Sequence, residues 1–199
     1  MSAARRTPNR RDLILAGAGL AAMFASPAHA TAASEQFVRA IADNAFQLST
    51  AGAEAEAFAA LLARSADMPR VARVTLGRYG RTFSPDQRTR FEAALTLHLA
   101  RVVRGALRNA DPAGFRVLGS VDVRAGDALV ATRLQRRGGE PMTMRWRVID
   151  TPAGARLVDI EYAGVFLAMQ QAQDFAAVLD RANGNPEVLI ARLSSPTRA

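Results

Sequence analysis

The chain has 199 residues, 49% of them hydrophobic, and sets 26 basic side chains, every one arginine, against 18 acidic ones. That length supports one domain with one sizeable core. The absence of cysteine excludes a disulfide framework, a thiolate nucleophile, a cysteine metal site and a lipid-modified cysteine anchor.

The first thirty residues have the composition of an export signal. Arg10 and Arg11 precede Asp12, Leu13 and Ile14, and an apolar run continues to Ala25. Ala28-His29-Ala30 then supplies a small-x-small cleavage site. This is a twin-arginine pattern, and residues 1–30 are expected to be removed. The apolar run of 13 residues is too short, as a helix, for a bilayer core of about 30 Å. Losing four arginines and Asp12 leaves 22 basic and 17 acidic residues, a net charge of +5. An exported protein is not expected to meet nucleic acid, whatever its pI. A modest positive charge favours anionic surfaces, including transient contact with a membrane.

Residues 31–199 read as a single domain in which helices flank a run of strands, with a frayed tail at 194–199. Ser34 to Leu48 carries Phe37, Ile41, Ala45 and Leu48 at helical spacing, and Ala53 to Ser65 is an alanine-rich helix. Asp67 precedes Met68 and Pro69, a polar cap followed by a proline in the first turn. Ser84, Pro85 and Gln87 form a capping-box signature. The helix that follows places Phe91, Leu95, Leu99, Val102 and Ala106 on one face and Arg90, Arg101, Arg104 and Arg108 on the other.

After Asn109, Asp111 and Pro112 the period becomes two. Phe115 to Val123, Leu129 to Gln135, Met142 to Val148 and Arg156 to Tyr162 read as four strands. Ala125-Gly126-Asp127, Gly138-Gly139 and Pro152-Ala153-Gly154 are the turns. Helix returns at Val165 to Ala182 and again near Pro186. The expected fold is α+β: a four-stranded antiparallel meander with helices packed on one face, either packed solid or enclosing an apolar cavity.

No motif for catalysis appears. The sequence has no G-x-S-x-G, no H-E-x-x-H and no glycine-rich phosphate loop. His98 is the lone histidine after residue 30, at the edge of an apolar helix face, and no carboxylate at i±3 or i±4 orients it. It reads either as a core-edge residue or as the base of a small hydrolase. No catalytic residue, metal site or cofactor is assigned.

The run Asp67-Met68-Pro69, Ala72-Arg73, Leu76-Gly77-Arg78-Tyr79, then Ser84-Pro85-Asp86-Gln87-Arg88 and Arg90-Phe91, resembles the MlaC family of periplasmic phospholipid-binding proteins. The resemblance continues through Trp146-Arg147-Val148-Ile149-Asp150 and ends near Leu189 to Leu193. It departs after Tyr162, where Ala163 and Gly164 stand in place of the usual arginine. The resemblance implies a carrier that moves phospholipid between an outer-membrane lipoprotein complex and an inner-membrane ABC transporter. A hopanoid-like cargo, or a periplasmic adaptor that binds no ligand, are the alternatives.

Such a carrier must hide hydrocarbon. A sixteen-carbon tail exposes about 14 methylenes at about 0.8 kcal/mol each, so two tails cost on the order of 20 kcal/mol in water. Met142, Met144, Trp146 and Val148, with Val117 and Tyr162 on neighbouring strands, are a candidate cavity wall. Phe91, Leu95, Leu99 and Val102 would close it from one helix, Phe166 and Met169 from another, and Val74 and Tyr79 from the connection between helices. Methionine suits tails of mixed length because its thioether chain repacks easily. The same residues would look identical if they simply packed on one another. The arginine face of Arg90, Arg101, Arg104 and Arg108 likewise reads either as a docking surface for acidic partners or as a solvated helix face.

Overall fold

The computed structural model of the protein describes residues 27–195. The twin-arginine motif with its apolar run, and residues 196–199 of the tail, lie outside the described residues. Helix α1 spans Pro27–Thr50, so the Ala28-His29-Ala30 segment falls in its first turn. Helix α2 (Ala55–Ser65) and helix α3 (Met68–Leu76) follow, and a 3-10 turn covers Gly77–Arg81. The Asp67 carboxylate accepts the Arg70 N–H at 3.1 Å and starts α3. Helix α4 (Pro85–Ala110) opens with a complete capping box. Ser84 Oγ accepts the Gln87 N–H at 3.2 Å, and Gln87 Oε1 accepts the Ser84 N–H at 2.9 Å.

Strands β1 (Pro112–Arg124), β2 (Asp127–Arg136), β3 (Gly139–Thr151) and β4 (Gly154–Tyr162) form the expected antiparallel meander. The sheet, however, has five strands rather than four. Strand β5 (Val165–Phe166) takes the two residues expected to begin the next helix. Ala163 at φ 51° and Gly164 at φ 82° turn the chain back in two residues, the conformation of a tight hairpin. Val165 and Phe166 are β-branched and aromatic, and they pair with Tyr162 and Glu161. Helix α5 (Leu167–Arg181) then starts from the extended Phe166, and helix α6 (Pro186–Ser194) closes the order.

Register separates the two faces of the sheet. Thr132, Met144 and Tyr162 lie side by side, as do Val130, Trp146 and Ile160, and then Ala128, Val148 and Leu157. The opposite face sets Arg116 across from Arg133 and Arg145 across from Glu161. Edge strand β1 has three register shifts, one at Gly119 with φ 142°. At the other side, the Asp67 N–H donates to the Leu157 carbonyl at 2.9 Å, so the α2–α3 junction covers part of β4.

Helix α1 crosses β1 and β2, while α2, α3 and α5 reach β4. Helix α4 packs chiefly on α2 and α6 rather than on the sheet. The buried side chains accordingly form two clusters. The larger joins Val38, Val71, Phe91, Leu95, Trp146, Val148, Phe175 and Leu189. Within it Phe91 meets Phe83 and Phe175 edge-on at 5.7 and 5.9 Å. The smaller joins Ala45, Phe58, Leu61 and Ala100.

The outer face of α4 is fastened by its arginines. Arg90 reaches Glu187 of α6 at 2.6 and 2.8 Å. Arg101 donates to the carbonyls of Leu193 and Ser195 at 3.0 and 3.1 Å, closing the C-terminal end of α6. Arg104 donates to the Ala53 carbonyl at 2.9 Å and pairs with Glu54. Arg108 is exposed and makes no ion pair among the described residues. Three of the four arginines read from sequence as a docking face are thus engaged within the molecule.

Two predictions concern stability. Arg101→Ala and Arg104→Ala should each lower the unfolding free energy by about 1 kcal/mol, whereas Arg108→Ala should stay within about 0.5 kcal/mol of the parent; urea denaturation measures both. Asp127 is only 2% exposed and receives Arg147 at 2.8 and 2.9 Å and Arg124 at 3.1 Å. The Arg147 hydrogen bonds outweigh burial and hold its carboxyl below the usual carboxylate range. Its folded pKa is lowered, so its stabilisation is complete above the ordinary value of about 3.9 and is lost as pH falls through the folded value. Asp127→Asn should therefore cost about 1.5–3 kcal/mol at pH 7, and the gap between the two proteins should close in acid.

Candidate functional site

Between α1, α4 and the inner face of the sheet lies a cleft of about 250 Å³. Four alanines hold its helical walls back: Ala42 and Ala45 on α1, and Ala106 and Ala110 on α4. Phe46, Val102, Val103 and Leu107 complete that side. The sheet side is Phe115, Leu134, Met142, Met144, Trp146, Ile160 and Tyr162. No charged side chain lines the space. The indole N–H of Trp146 donates to Thr132 Oγ1 at 2.8 Å, so the one polar atom of that ring is satisfied inside the sheet. The ring of Phe115 stands edge-on to it at 6.4 Å.

A second hollow of about 60 Å³ lies under α3 and α5, lined by Met68, Val71, Leu99, Leu157 and Ala168 among others. It shares Val103, Ile160 and Leu167 with the larger cleft, so the two meet at those side chains. Asp159 stands at this smaller hollow. Its Oδ1 accepts the N–H groups of Ile160 at 2.8 Å and Ala168 at 3.1 Å, which starts α5. Burial pushes its carboxyl above the ordinary value, against these two hydrogen bonds.

Protein interiors are close-packed, with few voids larger than a water molecule. An engineered apolar cavity of about 150 Å³ stays dry and takes up benzene. The 250 Å³ cleft likewise has almost wholly apolar walls, which offer water few hydrogen-bond partners. It falls along the boundary of the two clusters. Val103 and Leu107 pack on the smaller one, Met144, Phe115 and Ile160 on the larger.

Of the residues expected to line a cavity, Val102, Met142, Met144, Trp146 and Tyr162 come together at the cleft, and Leu99 borders the smaller hollow. Val102 and Tyr162 remain 38% and 45% exposed and stand where the cleft opens. Phe91, Leu95 and Val148 are buried in the larger cluster. Val117 is half-buried across from Thr132 and packs on that cluster. Phe166 is half-buried at the start of α5. Tyr79 hydrogen-bonds Asp180 through its hydroxyl and ties the 3-10 turn to the end of α5. Val74 and Met169 face outward at 49% and 60% exposure; on the same helices Val71, Thr75 and Ala168 face the smaller hollow instead.

The α1 alanines, Ala42 and Ala45, escaped sequence reasoning because alanine carries a weak signal on a helix face. Leu134 and Ile160 were within reach: hairpin length sets register, and register places them beside Met142 and Trp146. His98 contacts Gln171 Oε1 at 3.2 Å and the edge of Phe175, bridging α4 and α5. Burial holds its imidazole below the ordinary value. Among the described residues no group of three metal-ligating side chains occurs, and no helix is long and apolar enough to cross a membrane.

The solved structure of a phospholipid-binding protein from Ralstonia solanacearum, in complex with a phospholipid, has a similar fold. The TM-score is 0.65 at 23% sequence identity, over 80% of this chain and 93% of that one. No curated protein matches in sequence. The model of the MlaC protein family matches residues 31–195, and the chain belongs to that family.

Proposed function

We propose that this protein is a soluble periplasmic carrier that binds one phospholipid. The acyl tails lie in the cleft between α1, α4 and the sheet, and the headgroup stays at its mouth. The almost wholly apolar, uncharged lining of a 250 Å³ space is the observation that carries this reading. Membership of the MlaC family and the fold shared with a protein solved in complex with a phospholipid support it. Met142 and Met144 give the wall a surface that adapts to different chains. Val102 and Tyr162 mark the entrance.

The twin-arginine motif at Arg10 and Arg11 supports delivery to the periplasm, with residues 1–30 removed on export. There the carrier exchanges phospholipid between an outer-membrane lipoprotein complex and an inner-membrane ABC transporter. The protein acts by binding and release, with no covalent step.

Organic extraction of the folded protein followed by mass spectrometry tests this directly. Near-stoichiometric phospholipid is the expected result; a polycyclic lipid would redirect the cargo assignment, and an empty extract would end the carrier reading. Ala106→Trp should fill the cleft and cut recovered lipid at least several-fold while the circular dichroism spectrum stays that of the parent. Met144→Asp should also expel lipid, at the added cost of a charge in an apolar wall.

A further inference from the structure

The cleft of about 250 Å³ and the hollow of about 60 Å³ lie end to end. Three elements pass from one space to the other in the same order. On α4, Leu107 lines the cleft, Val103 lines both spaces and Leu99 lines the hollow. On β4 the order is Tyr162, Ile160 and Leu157. On α5, Leu167 lines both spaces, while Ala168 lines the hollow and not the cleft. Val103, Ile160 and Leu167 therefore form a partition, with one side chain from each element. All three are half-buried, whereas Met68, Val71, Thr75 and Ala168 around the hollow are buried.

The hollow suits hydrocarbon, because its polar side chains are engaged. Thr75 Oγ1 donates to the Ala72 carbonyl at 3.1 Å, Asp159 Oδ1 accepts two backbone N–H groups, and Gln171 Oε1 contacts His98. Met68, in its wall, repacks readily around a guest. The hollow is too small to hold a guest of its own. A cavity of about 150 Å³ takes up the six carbons of benzene, about 25 Å³ per carbon. By that measure the hollow holds about two carbons and the cleft about ten. A long acyl tail outruns the cleft, and the hollow continues it behind three aliphatic side chains.

We propose that one acyl tail of the bound lipid runs from the cleft past Val103, Ile160 and Leu167 into the hollow, and that this partition and the room behind it set the longest tail the carrier accepts. This rests on the carrier reading above. Val103 and Ile160 are β-branched and stiff at χ1. Leu167 is not, so it is the side chain that turns aside for the tail. A lipid arriving from a bilayer brings tails that are already out of water. A methylene that finds room in the protein therefore leaves the exchange unchanged. One left in water lowers occupancy about fourfold, the equivalent of about 0.8 kcal/mol. Loading is thus level with tail length up to a limit and falls steeply beyond it.

The test offers the exported protein vesicles of phosphatidylcholines with two identical monounsaturated tails, fourteen to twenty-two carbons long and mixed in equal amounts. Mass spectrometry then measures each lipid in the re-isolated protein. The parent should load the shorter members equally and drop about fourfold for each methylene past its limit. Leu167→Ala removes three carbons from the partition and should move the limit to tails about two to four carbons longer. Val103→Ala opens the same partition from α4 and should shift the limit in the same direction, which keeps the test open if Leu167→Ala does not fold. Ala168→Val puts two carbons into the hollow, about what it holds. It should move the limit to tails about two carbons shorter, with total lipid and the circular dichroism spectrum of the parent retained. A parent that loads every length equally overturns the proposal. So does a limit that stays in place in the folded variants, or a loss of lipid at all lengths alike, which would make these side chains packing and nothing more. Each of those results leaves lipid carriage intact. Absence of every lipid from the parent defeats the carrier reading itself.

Discussion

The structure turns on volume that its own side chains leave unfilled. Helix α4 is kept off the sheet, and the space beneath it is bounded by alanine on one side and by methionine and aromatic rings on the other. Apolar collapse alone would draw the helix down onto that sheet. What holds it out is polar and lies on its far side: Arg90 to α6, Arg101 to the carbonyls at the end of α6, and Arg104 to the α1–α2 turn. Each tie is weak when taken alone. Together they fix the helix from outside, while the cleft lies under its C-terminal half, from Val102 to Ala110.

The magnitudes show why this matters. An enclosed cavity costs about 24 cal/mol per Å³, so a space of 250 Å³, were it closed and dry, would correspond to about 6 kcal/mol. Whole domains are stable by only about 5–15 kcal/mol. Burying methylenes at about 0.8 kcal/mol each recovers the same amount with roughly eight of them, about half of one long tail. A hydrocarbon chain seated in the cleft would therefore act as part of the hydrophobic core.

Much of the fold was written locally. Asp67 and the Ser84–Gln87 box start their helices as their sequence chemistry directs, and the meander follows its turn residues. The fifth strand was missed because Ala163 is not a residue that advertises a left-handed turn; the following Gly164 carried the only hint. Periodicity told which face of a helix is apolar, but not whether that face meets a filled or an open interior. Phe91 and Leu95 share a face with Val102, yet they join the core while Val102 stands at the cleft mouth. The arginine face of α4 was visible as a stripe, but its partners lie far away in sequence, at Ala53, Glu187 and Leu193. One-dimensional patterning does not encode such pairings.

The irregular outer strand has a consequence for how the molecule behaves among its own copies. Leu118, Val121 and Val123 of β1 are exposed on an edge with unpaired backbone groups, an arrangement that invites other chains to add strands. Each break in register interrupts the straight ladder such an addition needs, and the conformation of Gly119 twists it further. The kinks deny a fibril its template, so the exposed apolar edge is poorly suited to recruiting further copies of the chain.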